Sequence, residues 1–267
     1  MTVSKDARRI RRMFADISPR YDLLNRLLSL GVDRAWRRRV ARELRLEPGA
    51  LVLDACTGTA DLAIELARAG AAGPAGGRPP RVVGADFTPQ MVRLGEAKRR
   101  ARCLENLSLV VADSLALPFP GASFDAVTVA FGIRNVADLE GALDEMLRIL
   151  KPGGTAAILE FSTPERGWLR LPFGFYFHRV LPRLGQWISR SRSGGEAYTY
   201  LPESVGEFPP PERFSRLLVA RGFTKVRHIE LSFGIAALHL AASPAERRAR
   251  NARPALAAEA RARSEGQ

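Results

Sequence analysis

Three aspartates close three successive apolar runs. Asp54 follows Leu51-Val52-Leu53, Asp86 follows Val82-Val83-Gly84-Ala85, and Asp113 with Ser114 follows the run from Leu107 to Ala112. A row of carboxylates at neighbouring strand ends offers only acceptors, which suits a ligand rich in donors: an amino group, ribose hydroxyls and an adenine amine. Asp86 is placed to accept from both ribose hydroxyls. Asp113 could accept from the adenine amine, and reads equally well as a turn cap. Between Asp54 and Asp61 lies Ala55-Cys56-Thr57-Gly58-Thr59-Ala60, where Gly58 lets backbone approach a ligand without a Cβ in the way. The helix that follows presents free N–H groups suited to a carboxylate.

These residues need strands and helices to hold them. The pattern strand, small-residue loop, helix is the first crossover of a nucleotide-binding α/β domain, with the ligand beyond the carboxyl ends of the strands. A dinucleotide fingerprint would need three glycines, and Gly58, Ala60 and Ala63 supply one. Before this crossover the spacing predicts three helices. The first covers 4–18, with Ser4 as cap and Ile10, Met13, Phe14 and Ile17 on one face; the second runs from Arg20 to Gly31; the third opens at Asp33. Together they make an N-terminal cap over 1–45. Tyr21, within it, is a substrate-side residue or a plain packing aromatic.

Further along, residues 70–80 read as a Gly/Ala/Pro-rich loop, and Thr88-Pro89 starts a helix. A strand over 124–130 leads into Phe131-Gly132-Ile133-Arg134-Asn135-Val136 at the end where chemistry sits in such sheets. Asp138 caps another helix, and Lys151-Pro152-Gly153-Gly154 turns into a strand over 156–161. Residues 162–208 are an aromatic-rich interruption holding Trp168, Phe173, Phe175, Tyr176, Phe177, Trp187, Tyr198 and Tyr200. A helix over 212–221 precedes strands over 226–231 and 235–241, joined so tightly that they must pair antiparallel. The expected fold is therefore α/β: a seven-stranded, mostly parallel, Rossmann-like sheet with an antiparallel closing hairpin, spanning 46–243. Residues 244–267 read as a solvated basic tail.

Composition narrows the class. The 267 residues are 46% hydrophobic and 26% charged, enough for a sizeable core. Two cysteines make no disulfide framework, and three histidines without a close cysteine pair give no metal spacing. No apolar run reaches the ~18–20 residues of a membrane span. The expectation is a soluble or peripheral intracellular protein. The net charge of +13 is uneven. Residues 1–45 hold 13 Lys/Arg against 5 Asp/Glu, 162–199 hold 6 against 2, and 244–267 hold 6 against 3. A near-neutral core with basic appendages points to an anionic partner, either a lipid surface or nucleic acid; a general arginine bias is the plainer explanation.

From about residue 14 to 242 the chain resembles the ubiquinone/menaquinone-biosynthesis C-methyltransferase family, within the class I S-adenosylmethionine (SAM) methyltransferases. The resemblance is carried by Phe14-Ala15-Asp16-Ile17-Ser18-Pro19-Arg20-Tyr21-Asp22-Leu23-Leu24-Asn25, the Asp54–Asp61 loop and Phe131-Gly132-Ile133-Arg134-Asn135-Val136. Leu150-Lys151-Pro152-Gly153-Gly154 and Tyr198-Thr199-Tyr200-Leu201-Pro202-Glu203-Ser204-Val205 extend it. Cys56 and Ala60 stand where the class motif has glycines. The family's SAM contacts map onto Thr59, Asp86 and Asp113-Ser114. A position often serine in the family is Ala130 here. The resemblance implies SAM as methyl donor and a reduced polyprenyl quinone precursor as acceptor, most commonly demethylmenaquinol.

For that chemistry a ring carbon must be activated through its neighbouring hydroxyl, so the site must stabilise a phenolate-like oxygen. Arg134, a five-donor cation, could do so with Asn135 beside it; a structural salt bridge is the alternative for Arg134. Tyr21, Glu160 and His239 are candidate proton acceptors. The prenyl tail makes an anionic membrane the expected contact, with a cytoplasmic protein at its inner face. Nucleic acid is not expected as a partner, and a homodimer is compatible. Other readings are a SAM enzyme acting on a small phenol or RNA, and a non-enzymatic binding protein.

Overall fold

The structure is a computed structural model, and it describes residues 6–18, 21–29, 31–69, 77–164, 179, 200 and 203–246. Three helices come first: α1 (Ala7–Ile17), α2 (Tyr21–Leu28) and α3 (Asp33–Leu44). The alternating section follows as β1 (Leu51–Ala55), α4 (Asp61–Ala69), β2 (Arg81–Asp86), α5 (Pro89–Arg100), β3 (Leu107–Val111), β4 (Phe124–Ala130), α6 (Leu139–Ile149) and β5 (Leu150–Phe161). It closes with α7 (Pro211–Ala220), β6 (Thr224–Leu231) and β7 (Ala236–Ala242).

One seven-stranded sheet has the order β3-β2-β1-β4-β5-β7-β6. β7 runs antiparallel between β5 and β6, and the other pairings are parallel. The central strands are apolar on both faces because helices cover both. Val52, Ala126 and Leu159 face the side of α3 and α4; Leu53, Val127, Val129 and Ile158 face α6 and α7. The chain leaves β1 in one direction along the sheet and resumes at β4 in the other. That reversal opens a crevice above β1 and β4, where ligands of such sheets sit. The expected fold class is the one observed.

The cap is built on this frame. α3 lies on α4 and β5, and α1 lies on α5. Trp36 of α3 is buried with its ring centroid 5.9 Å from that of Phe131 and 6.1 Å from that of Phe161, and its indole N–H donates to Ser232 Oγ at 3.0 Å. Burying such side chains contributes about 1.5–3 kcal/mol each, enough to hold a short helix that lacks a side-chain cap.

Two local expectations are corrected. The cap of α1 is Asp6, whose carboxylate accepts the Arg9 N–H at 2.9 Å; Ser4 lies outside the described residues. Lys151-Pro152-Gly153-Gly154 does not precede β5 but bulges within it. The pairing with β4 jumps from Phe124↔Leu150 to Ala126↔Thr155, and Gly153 takes φ +75°. Trp168, Phe173, Phe175, Tyr176, Phe177, Trp187 and Tyr198 of the aromatic interruption, residues 70–76 and the tail beyond 246 lie outside the described residues.

Candidate active site

A cleft with about 680 Å³ of empty space, open solvent included, lies at the carboxyl ends of β1, β2 and β4. Cys56, Gly58, Phe131 and Gly132 form its floor, and Asp86, Asp113 and Ser114 stand along one side. Ile10, Phe14 and Tyr21 of the cap close the other, with Asn135 and Val136 between. The cavity thus has an acidic half against the sheet and an aromatic half against the cap.

The floor depends on backbone that few residues adopt. Gly58 takes φ +57°, and a Cβ there would come 3.5 Å from Tyr21 Cε1. Cys56 and Ala60, at the two motif positions without glycine, keep left-handed backbone at φ +50° and +66°. Each such non-glycine residue costs about 1–2 kcal/mol. A Cβ on Gly132 would lie 2.4 Å from the Cβ of Cys56, so the loops after β1 and β4 touch directly. Cys56 Sγ lies 3.1 Å from Ser114 Oγ, and burial pushes its thiol up to about 12, leaving it a neutral side chain.

Asp86 is held open toward the cavity. Its two oxygens accept the Gly58 and Thr88 N–H groups, each at 2.9 Å, which leaves lone pairs for a ligand. Burial raises its pKa, opposed by those two amides. Asp113 is exposed, accepts the Leu115 N–H at 2.9 Å, and reaches the cavity on its free side. Asn135 lines the cavity, and its Oδ1 is buried with no partner among the described residues. The Tyr21 hydroxyl has its pKa raised by burial, against the lowering influence of Asn25 and of the Arg134 and Arg37 guanidinium groups. Burial thus favours the protonated hydroxyl.

Several predicted residues stand elsewhere. Asp54 does not line the cavity: its carboxylate accepts the hydroxyls of Thr57 at 2.6 Å and Thr128 at 2.7 Å. Burial raises its carboxyl to about 6. Thr59 turns its hydroxyl away, donating to Asp22 at 2.6 Å and accepting from Lys98 at 2.8 Å. Ala130 packs among apolar side chains below the floor. Arg134 is 5% exposed and does not line the cavity; it donates to Glu160 Oε1 at 2.5 Å and to the Phe131 carbonyl at 2.6 Å. Its guanidinium also lies 5.5 Å from the Phe161 ring centroid. It is the buried salt bridge, and its field reaches Tyr21. Glu160 keeps Oε2 unpartnered among the described residues, and burial raises its pKa against the pull of Arg134. His239 packs under α7, bonded to the Pro211 carbonyl at 3.0 Å, and burial lowers it to about 4.

Sequence reasoning missed three residues near the site. Arg37 is buried, paired with Asp33, and sits 5.6 Å over the Phe131 ring. Asp22 and Lys98 join the cap to the floor's flank. Lys98 was legible: it shares the inner face of α5 with Met91 and Gly95 at i, i+4, i+7, an odd place for a charge. Among the described residues no group of His, Cys, Asp and Glu could hold a metal.

The sheet order, the switch-point cavity and its acidic side define a class I SAM-dependent methyltransferase. A SAM-dependent methyltransferase from Aquifex aeolicus shares the fold, with a TM-score of 0.53 at 20% identity over 78% of this chain and 89% of that one. The chain belongs to the ubiE/COQ5 methyltransferase family, which matches residues 1–243. It is 47% identical to a ubiquinone/menaquinone biosynthesis C-methyltransferase UbiE of Geobacter sulfurreducens over 240 residues, 89% of each chain. It is 50% identical to a demethylmenaquinone methyltransferase of Thermus thermophilus over 234 residues, covering 87% of this chain and all of that one. The expected enzyme class, a carbon methyltransferase with SAM as co-substrate, stands.

Proposed function

We propose that this protein transfers a methyl group from SAM to a ring carbon of a reduced polyprenyl quinone precursor, with demethylmenaquinol as its acceptor. The observation that carries the reading is the two-sided cavity of a chain about half identical to demethylmenaquinone methyltransferases. The acidic half fits a donor-rich nucleoside. Asp86 offers the ribose its free lone pairs, Asp113 and Ser114 flank the adenine, and Gly58 leaves room for close approach. Bound SAM supplies an electrophilic methyl on a sulfonium. The aromatic half, Phe14, Tyr21 and Phe131, takes a flat apolar ring; Tyr21 donates to a ring oxygen and Asn135 Oδ1 accepts its hydroxyl hydrogen. Placing ring carbon and methyl in contact supplies most of the acceleration in such transfers.

Among the described residues no helix is long and apolar enough to cross a membrane. The exposed Arg8, Arg11 and Arg12 of α1 and Arg34 and Arg38 of α3 support a peripheral contact with anionic lipid, where a prenyl tail resides. Incubating purified protein with labelled SAM and reduced demethylmenaquinone tests the reaction. Label should enter the ring of the reduced acceptor and not of the oxidised one; no incorporation into either overturns the assignment. Co-sedimentation with anionic but not neutral liposomes at low salt tests the membrane contact, and equal binding to both would refute its electrostatic basis.

A further inference from the structure

One side chain joins the cap and the loop after β1, which both border the cavity, to the first turn of α4. The Lys98 ammonium, on α5, donates to Asp61 Oδ1 at 2.6 Å and Thr59 Oγ1 at 2.8 Å, and lies 2.6 Å from Asp22 Oδ2. Those acceptors belong to the first turn of α4, the loop after β1 and helix α2 of the cap. All three ammonium donors are used, and the remaining Asp22 oxygen accepts the Thr59 hydroxyl at 2.6 Å. Burial works against the charge on Asp61, and Lys98, with Arg37 and Arg26, outweighs it and holds that carboxyl below its ordinary value.

The cluster continues the cavity wall by one residue on each side. Tyr21 faces Gly58 inside the cavity, and their chain neighbours Asp22 and Thr59 are bonded to each other outside it. Cap and loop are therefore joined by two adjacent pairs, one lining the ligand space and one sealed by Lys98. We infer that Lys98 is a positioning residue, a latch that fastens the cap to the loop after β1 and so sets how fully the cavity is closed. The latch touches no ligand space, since neither Lys98, Asp22, Thr59 nor Asp61 lines the cavity. It acts on binding through the fraction of molecules whose cap is seated, because apparent affinity scales with that fraction. Its side chains are part-exposed, Lys98 at 19%, Asp22 at 32% and Asp61 at 35%. The pairing is thus strong enough to bias the cap and weak enough to let it lift for a ligand to enter.

The turnover arm of the test rests on the proposed methyl transfer; hydrogen exchange does not, so the two can fail separately. Lys98→Met should speed amide exchange over 21–28 by about tenfold with β4 and β5 unchanged. The KM for SAM should rise about five- to tenfold with kcat within about twofold. Lys98→Arg should recover most of the KM, as a side chain that merely fills space would not. Asp22→Asn removes only the cap's arm and keeps the test intact if Lys98→Met fails to fold; it should raise exchange over the same residues, and the double variant should be no worse than the poorer single. Unchanged exchange over 21–28 in both single variants, or a fall in kcat at constant KM, overturns the latch.

Discussion

The ends of β1 and β2 look alike in sequence and behave differently in the fold. β2 closes with Asp86 and β1 carries Asp54 one residue before its end, and the two strands are paired, Asp54 opposite Gly84. β1 lies between β2 and β4, so Asp54 meets Thr128 on β4 and Thr57 on its own loop, and two hydroxyls use its carboxylate. β2 has the small loop beside it, so Asp86 accepts the Gly58 and Thr88 backbone N–H groups and keeps lone pairs for the cavity. The same division separates Arg134, consumed by Glu160, from its neighbour Asn135, which faces the cavity with a free oxygen. A polar side chain at the catalytic end of a sheet serves the ligand only if the fold leaves it something to offer.

The sharpest way to break this comparison is at the consumed pair. Arg134→Leu leaves Glu160 buried and uncompensated, and should lower unfolding free energy by about 3–5 kcal/mol in urea. Adding Glu160→Leu should restore most of it; if the single variant is as stable as the parent, Arg134 is not structural. Asp54 gives the next effect. Its carboxyl is raised from an ordinary 3.8 to about 6 in the folded state. Its contribution is full below the ordinary value and is lost as pH rises through about 6, a cost of about 3 kcal/mol by then. Asp54→Asn should flatten the stability profile across that window, compared by denaturation at pH 4 and pH 8.

Asp86→Asn replaces an acceptor oxygen with a donor facing the cavity. Calorimetry should show SAM affinity reduced by about 1.5–3 kcal/mol with little change in melting temperature. Equal loss of stability would place Asp86 with Asp54 instead. The smallest effect is expected at Gly58. Its Cβ would fit at 3.5 Å from Tyr21, but φ +57° makes Gly58→Ala costly by about 1–2 kcal/mol, measurable in the urea midpoint.

Much of this was legible in the chain. Apolar runs ending in Asp, a helix after each of the first two, and two strands too close for a crossover specify the sheet and its closing hairpin. Asp86, Asp113, Ser114, Gly58, Tyr21 and Asn135 do border the cavity. Thr128, Asp22 and Glu160, which engage Asp54, Thr59 and Arg134, were not legible as partners, because each comes from another strand or helix, 74, 37 and 26 residues away. The Lys151–Gly154 bulge was misread because Pro-Gly-Gly signals a turn, whereas here it absorbs extra residues within a pairing already begun at Leu150.

The contact between Gly132 and Cys56 binds the evolutionary fates of two distant positions. With 2.4 Å between the Cβ of one and the Cβ the other would carry, the floor has room for a single methyl-sized group, and this chain has placed it at 56. With glycine at 56, alanine at 132 would meet only the carbonyl of residue 56, at 3.2 Å, which has to give by a few tenths of an ångström. Swapping the pair in this protein should therefore be gentler than changing position 132 by itself.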